Sequence, residues 1–555
     1  MNRSRHLPLA WARVRPWSSA HGPEEVDVGA RRRGLGALSI AIALITVTAA
    51  CGGDGEDSAG PEVEASASSG DGPVKEGGTL VYGQTAGVSQ LDPNTIASGA
   101  QTQLQTLLWN GLTKWAPDNT AQPDLAENWA NSPDFRQWTF TLRAGVKYHN
   151  GKPFTAAEAK KNFDRVRDPN VPAQVATKID MVREVTAPDE RTLVFDLDTP
   201  NPQLPSSIID VKMSDVDDIA SVDANGNGTG PYRLTSFVPD QTVELARNDA
   251  YWGERPKLDG LKIVRYADAT AAQTAMRSGD VDVLWSVAPD SVGNLAADGR
   301  QLLTAAEPAS YVVWELDTTS APFDNPKARE ALSYAANRQS IMDAAYAGYG
   351  QATPGNVAVN PGNPHYNTTL PAQEYNLDKA KQLFAEAGVT EGSTLTFWTV
   401  AGNYPEWTTA GQILQEDLKK IGINLDIQGN EVSTWSTRFY PKGKQFGNMI
   451  VANYVSFTPL PDSYALSWFA ADKGTCECNW AAPPEYDEAI ATIESTGPGP
   501  VRDEAFATAQ EVLNRENPIV VVGSAAFLSV AQPDIRGLWV QSEGTLHLEE
   551  AGFAA

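Results

Sequence analysis

Apolar and polar positions alternate from Thr79 to Gln84, which predicts a strand, and Asp92-Pro93 breaks the chain soon after it. The stretch 102–115, TQLQTLLWNGLTKW, has helical spacing and stops at Gly111. Trp138, Phe140 and Leu142 alternate in a second strand, followed by a turn at Asn150-Gly151. Thr155, with Glu158 three residues later, has the form of a capping box and predicts a helix that ends before Pro169. Two hairpins are expected, around Pro188-Asp189 and around Pro239-Asp240. Residues 258–285 read as strand, helix, Gly279 and strand, and residues 393–428 repeat that order. Strands that alternate with helices predict α/β units. No internal repeat of fixed period is visible.

The N-terminal end follows a different pattern. Arg31-Arg32-Arg33 precede a mostly apolar run from Gly34 to Val47. That run is shorter than the ~20 residues a membrane span needs. A positive flank, a short apolar stretch and small residues after it are the marks of a secretory signal, here residues 1–50. Thr48-Ala49-Ala50-Cys51 resembles the bacterial lipobox, which makes Cys51 the expected site of lipid attachment and the first residue of the mature chain. Thr48 stands where an aliphatic residue is usual. Arg32-Arg33-Gly34-Leu35 is loosely similar to a twin-arginine signal, so both export routes stay open. Residues 52–78 hold Gly, Ser, Pro and acids without one aromatic residue, and are expected to form a flexible tether.

Composition narrows the function. The formal net charge is −26, although residues 1–50 carry seven Arg against three acids, so the remainder is more acidic still. Such a body is unsuited to nucleic acid, which is held by neutralising phosphates. Three Cys and five His form no zinc-like cluster, and no metal or cofactor is expected. Motifs of the Gly-x-Ser-x-Gly, Gly-x-x-x-x-Gly-Lys-Ser/Thr, His-Glu-x-x-His and Gly-x-Gly-x-x-Gly types are absent. His149, beside Asn150-Gly151, reads as a turn residue rather than a general base. Cys476 and Cys478 could form a local disulfide, stay as two thiols or supply half of a metal site, with a structural role preferred. A secreted α/β chain without a catalytic constellation points to a binding protein rather than an enzyme.

The aromatic residues carry more information. Trp109, Trp285, Trp314, Trp398, Tyr404, Trp407, Trp435, Tyr454 and Phe457 lie at strand ends or in polar loops, where rings can stack on a ligand. Trp398, inside an alternating strand, is expected to pack. Trp435, among Ser433, Thr434, Ser436 and Arg438, is expected to face a wet cleft.

Several ordered motifs resemble one family. They begin with Ala126-Glu127-x-Trp129, the strand from Trp138 to Val146, His149-Asn150-Gly151 and Thr155-Ala156. They continue through GTGPY at 228–232, Asn248-x-x-Tyr251-Trp252, MRSGDVDVL at 276–284, and the stretches 322–342, 375–388 and 414–428. Together they resemble the family 5 extracellular solute-binding proteins, the peptide, nickel and oligosaccharide receptors of bacterial ABC importers, over nearly all of residues 79–545.

The resemblance implies a periplasmic-binding-protein-like α/β fold with mixed sheets, two lobes over a buried ligand and an extra third domain. Residues 79–118, 206–311 and 521–545 would form the first lobe, 119–205 the extra domain and 312–520 the second lobe, with hinge crossings near 311 and 520. It also implies a monomer that docks on permease subunits. The ligand-binding positions would be Asn110, Trp285, Trp314, Asn403, Tyr404, Trp435, Arg438, Tyr454 and Phe457. In dipeptide receptors of this family an aspartate pairs with the peptide's amino group. Aligning Pro461-Asp462-Ser463-Tyr464 puts Phe457 at that place, with Asp462 a nearby carboxylate, while the arginine that grips the peptide's carboxylate falls near Gly402. Without both anchors a dipeptide is disfavoured, because burying an unpaired ion is costly.

Two ligand classes therefore stay open: an oligopeptide held by backbone hydrogen bonds, or an oligosaccharide or other neutral polar solute stacked on Trp435, Tyr404 and Phe457 and bonded to Asn403 and Asn110. A glycoside hydrolase using Asp/Glu pairs, or a receptor without a transport role, are the other classes.

The lipid anchor makes a direct prediction. Labelled palmitate is expected to mark the wild-type chain in cells and to leave Cys51→Ser unlabelled. Equal labelling of the two would remove the anchor.

Overall fold

The computed structural model describes residues 65–95, 99–296, 299–400, 404–431, 434–435, 445–456, 466–470 and 478–555. The chain divides into two units. Met1–Ala59 lies outside the described residues, and with it the signal segment and Cys51. Gly60–Ala555 holds three sheets of four or more strands.

The first sheet has seven strands in the order 301–303, 529–531, 283–284, 79–84, 260–265, 242–247 and 232–238. Thr79–Gln84 is central and parallel to both Gly260–Arg265 and Val283–Leu284. The helix between those two, Ala269–Ser278, starts where the Asp268 carboxylate accepts the Ala271 N–H at 2.8 Å. It stops at Gly279, whose φ of +81° is open to glycine at no steric cost. The expected hairpin around Asp240 forms the sheet's far edge, Tyr232–Val238 against Thr242–Arg247.

The second sheet has six strands in the order 350–352, 519–525, 310–316, 449–456, 394–400 and 424–430. Thr394–Val400 and Asn424–Asn430 are parallel, as a strand–helix–strand unit requires. The helix between them, Pro405–Lys420, has Pro405 in its first turn, Glu406 beside it and Lys419 and Lys420 in its last turn, all matched to the helix dipole. It buries Trp407, Ala410, Leu414 and Leu418 on the sheet.

The antiparallel four-stranded sheet, 126–131, 137–142, 192–197 and 182–186, carries the extra domain. Its core is centred on Phe195, which meets Phe163 at 4.8 Å and Phe140 at 5.3 Å, both edge-on. Phe163 comes from the helix Ala156–Arg167. That helix starts after Thr155 as expected, but no side-chain cap bond forms. Glu158 is drawn instead to Lys152 at 2.8 Å and Lys161 at 3.1 Å.

Three expectations about boundaries change. The divisions at 311–312 and 520–521 both fall inside strands of the second sheet, Ser310–Leu316 and Ile519–Ala525. The chain passes between the first and second sheets in the short segments 304–309 and 526–528. The core of the extra domain takes in Leu112 and reaches Met213, beyond 119–205 at both ends.

The tether also ends earlier than expected, because residues 66–75 are bonded into the fold. Ser66 N–H donates to the Leu302 carbonyl at 3.0 Å and Thr304 N–H to the Ser66 carbonyl at 2.9 Å. Ser69 N–H donates to Leu538, Val540 N–H to Ala67 and Lys75 N–H to Phe553, each at 2.9 Å. The small Ala, Ser and Gly side chains that looked like a linker allow the backbone to approach these edges and satisfy their open hydrogen bonds.

The extra domain is locked to the first lobe by two of the sequence motifs. His149 N–H donates to the Gly228 carbonyl at 2.8 Å, and the His149 ring bridges the Gly230 carbonyl at 3.0 Å and the Gly228 N–H at 3.3 Å. A Cβ on Gly228 would stand 2.1 Å from the Leu108 carbonyl oxygen, so only glycine allows this approach. Burial lowers the His149 ring from 6.5 to about 4, because the neutral ring fits this pocket and the cation does not. A base held neutral in the fold stabilises fully above its unfolded pKa, and the contribution fades as pH falls from 6.5 toward 4. His149→Ala is therefore expected to cost about 1–3 kcal/mol at pH 7. Urea unfolding at pH 7 and pH 4.5 should show the gap to wild type narrowing in acid, and a gap independent of pH would refute this role.

Candidate functional site

Groups from the first sheet, the second sheet and the extra domain enclose a cavity of about 1980 Å³. On the second-sheet side, Tyr404 and Pro405 begin the helix Pro405–Lys420, and Tyr454 comes from the strand Met449–Ser456. The Tyr404 ring stacks on Trp407 at 4.3 Å and 21° and meets Tyr454 edge-on at 5.6 Å. Tyr404 keeps 38% of its surface exposed. The Tyr454 hydroxyl lies 2.8 Å from Glu406 Oε1 and 3.1 Å from the hydroxyl of buried Tyr346. Burial raises the Glu406 carboxyl, and its own backbone N–H and the Tyr454 hydroxyl offset part of that rise.

The opposite wall is built largely by the C-terminal segment. Trp539–Val540 and Leu546–His547 pair as a short hairpin. Its turn is closed by Gln541 N–H to the Thr545 carbonyl and Gly544 N–H to the Gln541 carbonyl, both at 2.8 Å. Trp539 and His547 stack at 3.6 Å and 2°. Burial would raise Glu549, but His547, 3.2 Å away, holds it down at about 2. Trp285 and Phe527 lie nearly parallel, 6.4 Å apart at 12°, and Trp285 Nε1 donates to the Gly544 carbonyl at 3.0 Å. Glu543, at the tip of the turn, is raised by burial to about 7.

The floor near the extra domain is charged. Burial raises Asp124 to about 6 against the pull of Lys114 and Lys212. Its carboxylate accepts Asn110 Nδ2–H at 3.2 Å and Gly111 N–H at 3.1 Å. Lys178 and Asp210 form an ion pair on the same floor.

The structure sorts the expected ligand positions. Asn110, Trp285, Tyr404 and Tyr454 all line the cavity. Asn110 is already committed, however: its Nδ2 lies 3.2 Å from Asp124 and 3.3 Å from the Tyr251 hydroxyl, and its Oδ1 accepts from Thr229 at 3.1 Å. It positions Asp124 rather than offering a free amide. Trp314 does not line the cavity; it is 0% exposed and meets Phe397 edge-on at 5.7 Å inside the second-sheet core. Trp435, expected in a wet cleft, is 5% exposed and packs against Trp407 at 6.0 Å. Its polar neighbours in sequence misled, because a ring as large as Trp gains more from the core behind the helix than from water. Asn403, Arg438, Phe457, Asp462 and Gly402 lie outside the described residues. Trp398 packs as expected, with Nε1 bonded to Gln428. Cys478 is buried and disulfide-bonded, and Cys476 lies outside the described residues.

Sequence reasoning missed Asp124, Glu406, Phe527, Trp539 and Glu543. The Ser542-Glu543-Gly544 triplet between apolar pairs carries a turn signal, but nothing local says that the turn faces a cavity.

Among the described residues, no helix is long and apolar enough to cross a membrane. The chain matches the family model for bacterial extracellular solute-binding proteins, family 5, over residues 120–475. It is 24% identical to the dipeptide-binding protein of Escherichia coli K12 over 511 residues, covering 86% of this chain and 94% of that protein. It is 26% identical to the glutathione-binding protein GsiB of Salmonella choleraesuis over 485 residues, covering 83% and 92%. The fold is similar to that of the ABC transporter substrate-binding protein CtaP of Listeria monocytogenes, with a TM-score of 0.76, 21% identity and 86% and 100% coverage. It is also similar to the oligopeptide-binding protein AppA of Bacillus subtilis in complex with a nonapeptide, with a TM-score of 0.73, 21% identity and 87% and 100% coverage. The two-lobed α/β architecture with its extra domain, and the family match across most of the chain, agree with the resemblance carried by the motifs: the chain belongs to family 5 of the bacterial extracellular solute-binding proteins of ABC importers.

Proposed function

We propose that this chain is the substrate-binding lipoprotein of an ABC importer, which captures an oligopeptide-like solute in the cavity and delivers it to the permease. The observation that carries the reading is the cavity of about 1980 Å³. Pockets for one small molecule are typically about 300–1,000 Å³, so this volume suits an extended guest. The dipeptide-binding and glutathione-binding relatives, and the nonapeptide held by AppA, support a peptide class.

The segments 304–309 and 526–528 are suited to act as the hinge between lobes. Both are short and both join strands of the two sheets. Closure would bring the Tyr404–Trp407 face toward the C-terminal hairpin and exclude water from the guest. Cys51 would hold the receptor at the outer face of the cell membrane, next to its permease.

The exposed face of Tyr404 gives the second reading its support, since a ring backed by Trp407 also suits stacking on a sugar. Thermal shift and calorimetry against peptides of two to nine residues and against oligosaccharides separate the readings. Peptides of four residues or more are expected to raise the unfolding temperature by about 4–8 °C at saturation. Tyr404→Ala is expected to weaken their binding about tenfold through the lost ring contact. Response to oligosaccharides alone would establish the neutral-solute reading, and response to di- and tripeptides alone would show that the dipeptide anchors are present after all.

A further inference from the structure

The turn Gln541–Thr545 is held from both crossings between the lobes. Ala309 N–H donates to the Ser542 carbonyl at 2.8 Å, and the Gly544 carbonyl accepts from Trp285, whose ring lies alongside Phe527 of the second crossing. Gly544, at φ +93°, has no room for a side chain, since a Cβ would stand 2.5 Å from the Phe527 ring. These constraints fix Glu543 on the wall of the cavity.

Glu543 is poorly matched to this place. Among the described residues it forms no ion pair, and its Oε2 is enclosed without a hydrogen-bond partner. Thr545 supplies the one side-chain hydrogen bond that supports the carboxyl. The charged groups that face it are His547 and Asp210. His547 is held by Glu549 and Gln541, and Asp210 is paired with Lys178 and repels Glu543.

The other buried carboxyls of the cavity do have partners. Asp124 has Asn110, Gly111 and two flanking lysines, Glu406 has Tyr454, and Glu549 has His547. Glu406 and Glu543 have no cation partner among the described residues, and of these four only Glu543 keeps an oxygen without a hydrogen-bond partner. Trp285 and Phe527, which meet the neighbouring Gly544, also line the cavity. Aromatic faces attract cations, and a carboxylate accepts strong charge-assisted hydrogen bonds from ammonium and guanidinium groups. An enclosed carboxylate without a counter-ion is unfavourable, and a positively charged guest would supply the missing partner.

We propose that Glu543, with Trp285 and Phe527, forms a cation subsite of the cavity that takes a primary ammonium or guanidinium group of the guest. The subsite rests on the cavity being the solute site and does not require the solute to be a peptide.

The test uses the full mature chain at pH 8, with wild type and Glu543→Gln compared by calorimetry. The probes are alanine tetrapeptides with one lysine or one norleucine, moved through the four positions, together with agmatine and spermidine. Folding of the variant is checked by its unfolding temperature. Burial raises Glu543 from 4.5 to about 7, so removing the carboxylate is expected to stabilise the unliganded protein at pH 8, by an amount that shrinks as pH falls from 7 toward 4.5. At one position or more, the lysine peptide is expected to bind wild type about tenfold tighter than its norleucine twin, and Glu543→Gln should cut that advantage below about threefold. Equal affinity of all twins for wild type, or an advantage that survives Glu543→Gln, overturns the subsite. If no peptide binds but agmatine or spermidine binds wild type and not the variant, the subsite stands and the peptide reading falls. If neither peptides nor amines bind, the subsite is overturned.

Discussion

The two crossings between the lobes are held against one small turn. The Ser542 carbonyl takes the N–H of Ala309 from one crossing, and the Gly544 carbonyl takes the indole N–H of Trp285, whose ring lies beside Phe527 of the other. A hinge works only if its base is stiff while its strands bend. In the proposed hinge the hairpin 539–547 would supply that stiffness through backbone pairing, the flat Trp539–His547 stack and the absence of space beside Gly544. The cavity wall at this turn and the place of Glu543 follow from these contacts.

The N-terminal strap reinforces the same region. Residues 66–69 bond to the edge at Leu302 and to the hairpin entry at Leu538 and Val540, and residues 73–75 bond to the chain's last strand. The first and last described stretches of the chain thereby meet on the first lobe. In the proposed lipoprotein, this places the point of attachment on the lobe that carries the hairpin, so the second lobe is left to move.

Charge is arranged differently on the surface and in the cavity. The chain is strongly acidic as a whole, which favours solubility and self-repulsion. Inside, acids and bases are mostly matched: Lys178 with Asp210, His547 with Glu549, and Lys114 and Lys212 around Asp124. Matched pairs lower the cost of burying charge and orient the wall without repelling a solute. The unmatched Glu543 gains its meaning from this background.

The sequence by itself determined the elements and the family. The strand Thr79–Gln84, the helix after Thr155, the two hairpins at Pro188-Asp189 and Pro239-Asp240, and both strand–helix–strand units are local patterns of period 2 or 3.6, and the chain carries them openly. The motifs at 126–151 and 228–252 were equally legible, and the structure shows part of the reason: His149 and Gly228 need each other's backbone at hydrogen-bond distance, which few other residues permit. Which aromatic ring faces the solute was not legible. Trp314 and Trp435 sit in sequence contexts like those of Trp285 and Tyr404, yet packing across the second sheet buries the first pair, while the end of the strand Val283–Leu284 and the start of the helix Pro405–Lys420 present the second pair to the cavity. Likewise the Ala-, Ser- and Gly-rich stretch 66–75 looked like a free leash, and only the open edges at Leu302, Leu538 and Phe553 turned it into a strap. Local periodicity is written into neighbouring residues. The partner that a side chain or a backbone edge will meet is set by residues hundreds of positions away, and only the tertiary structure brings them together.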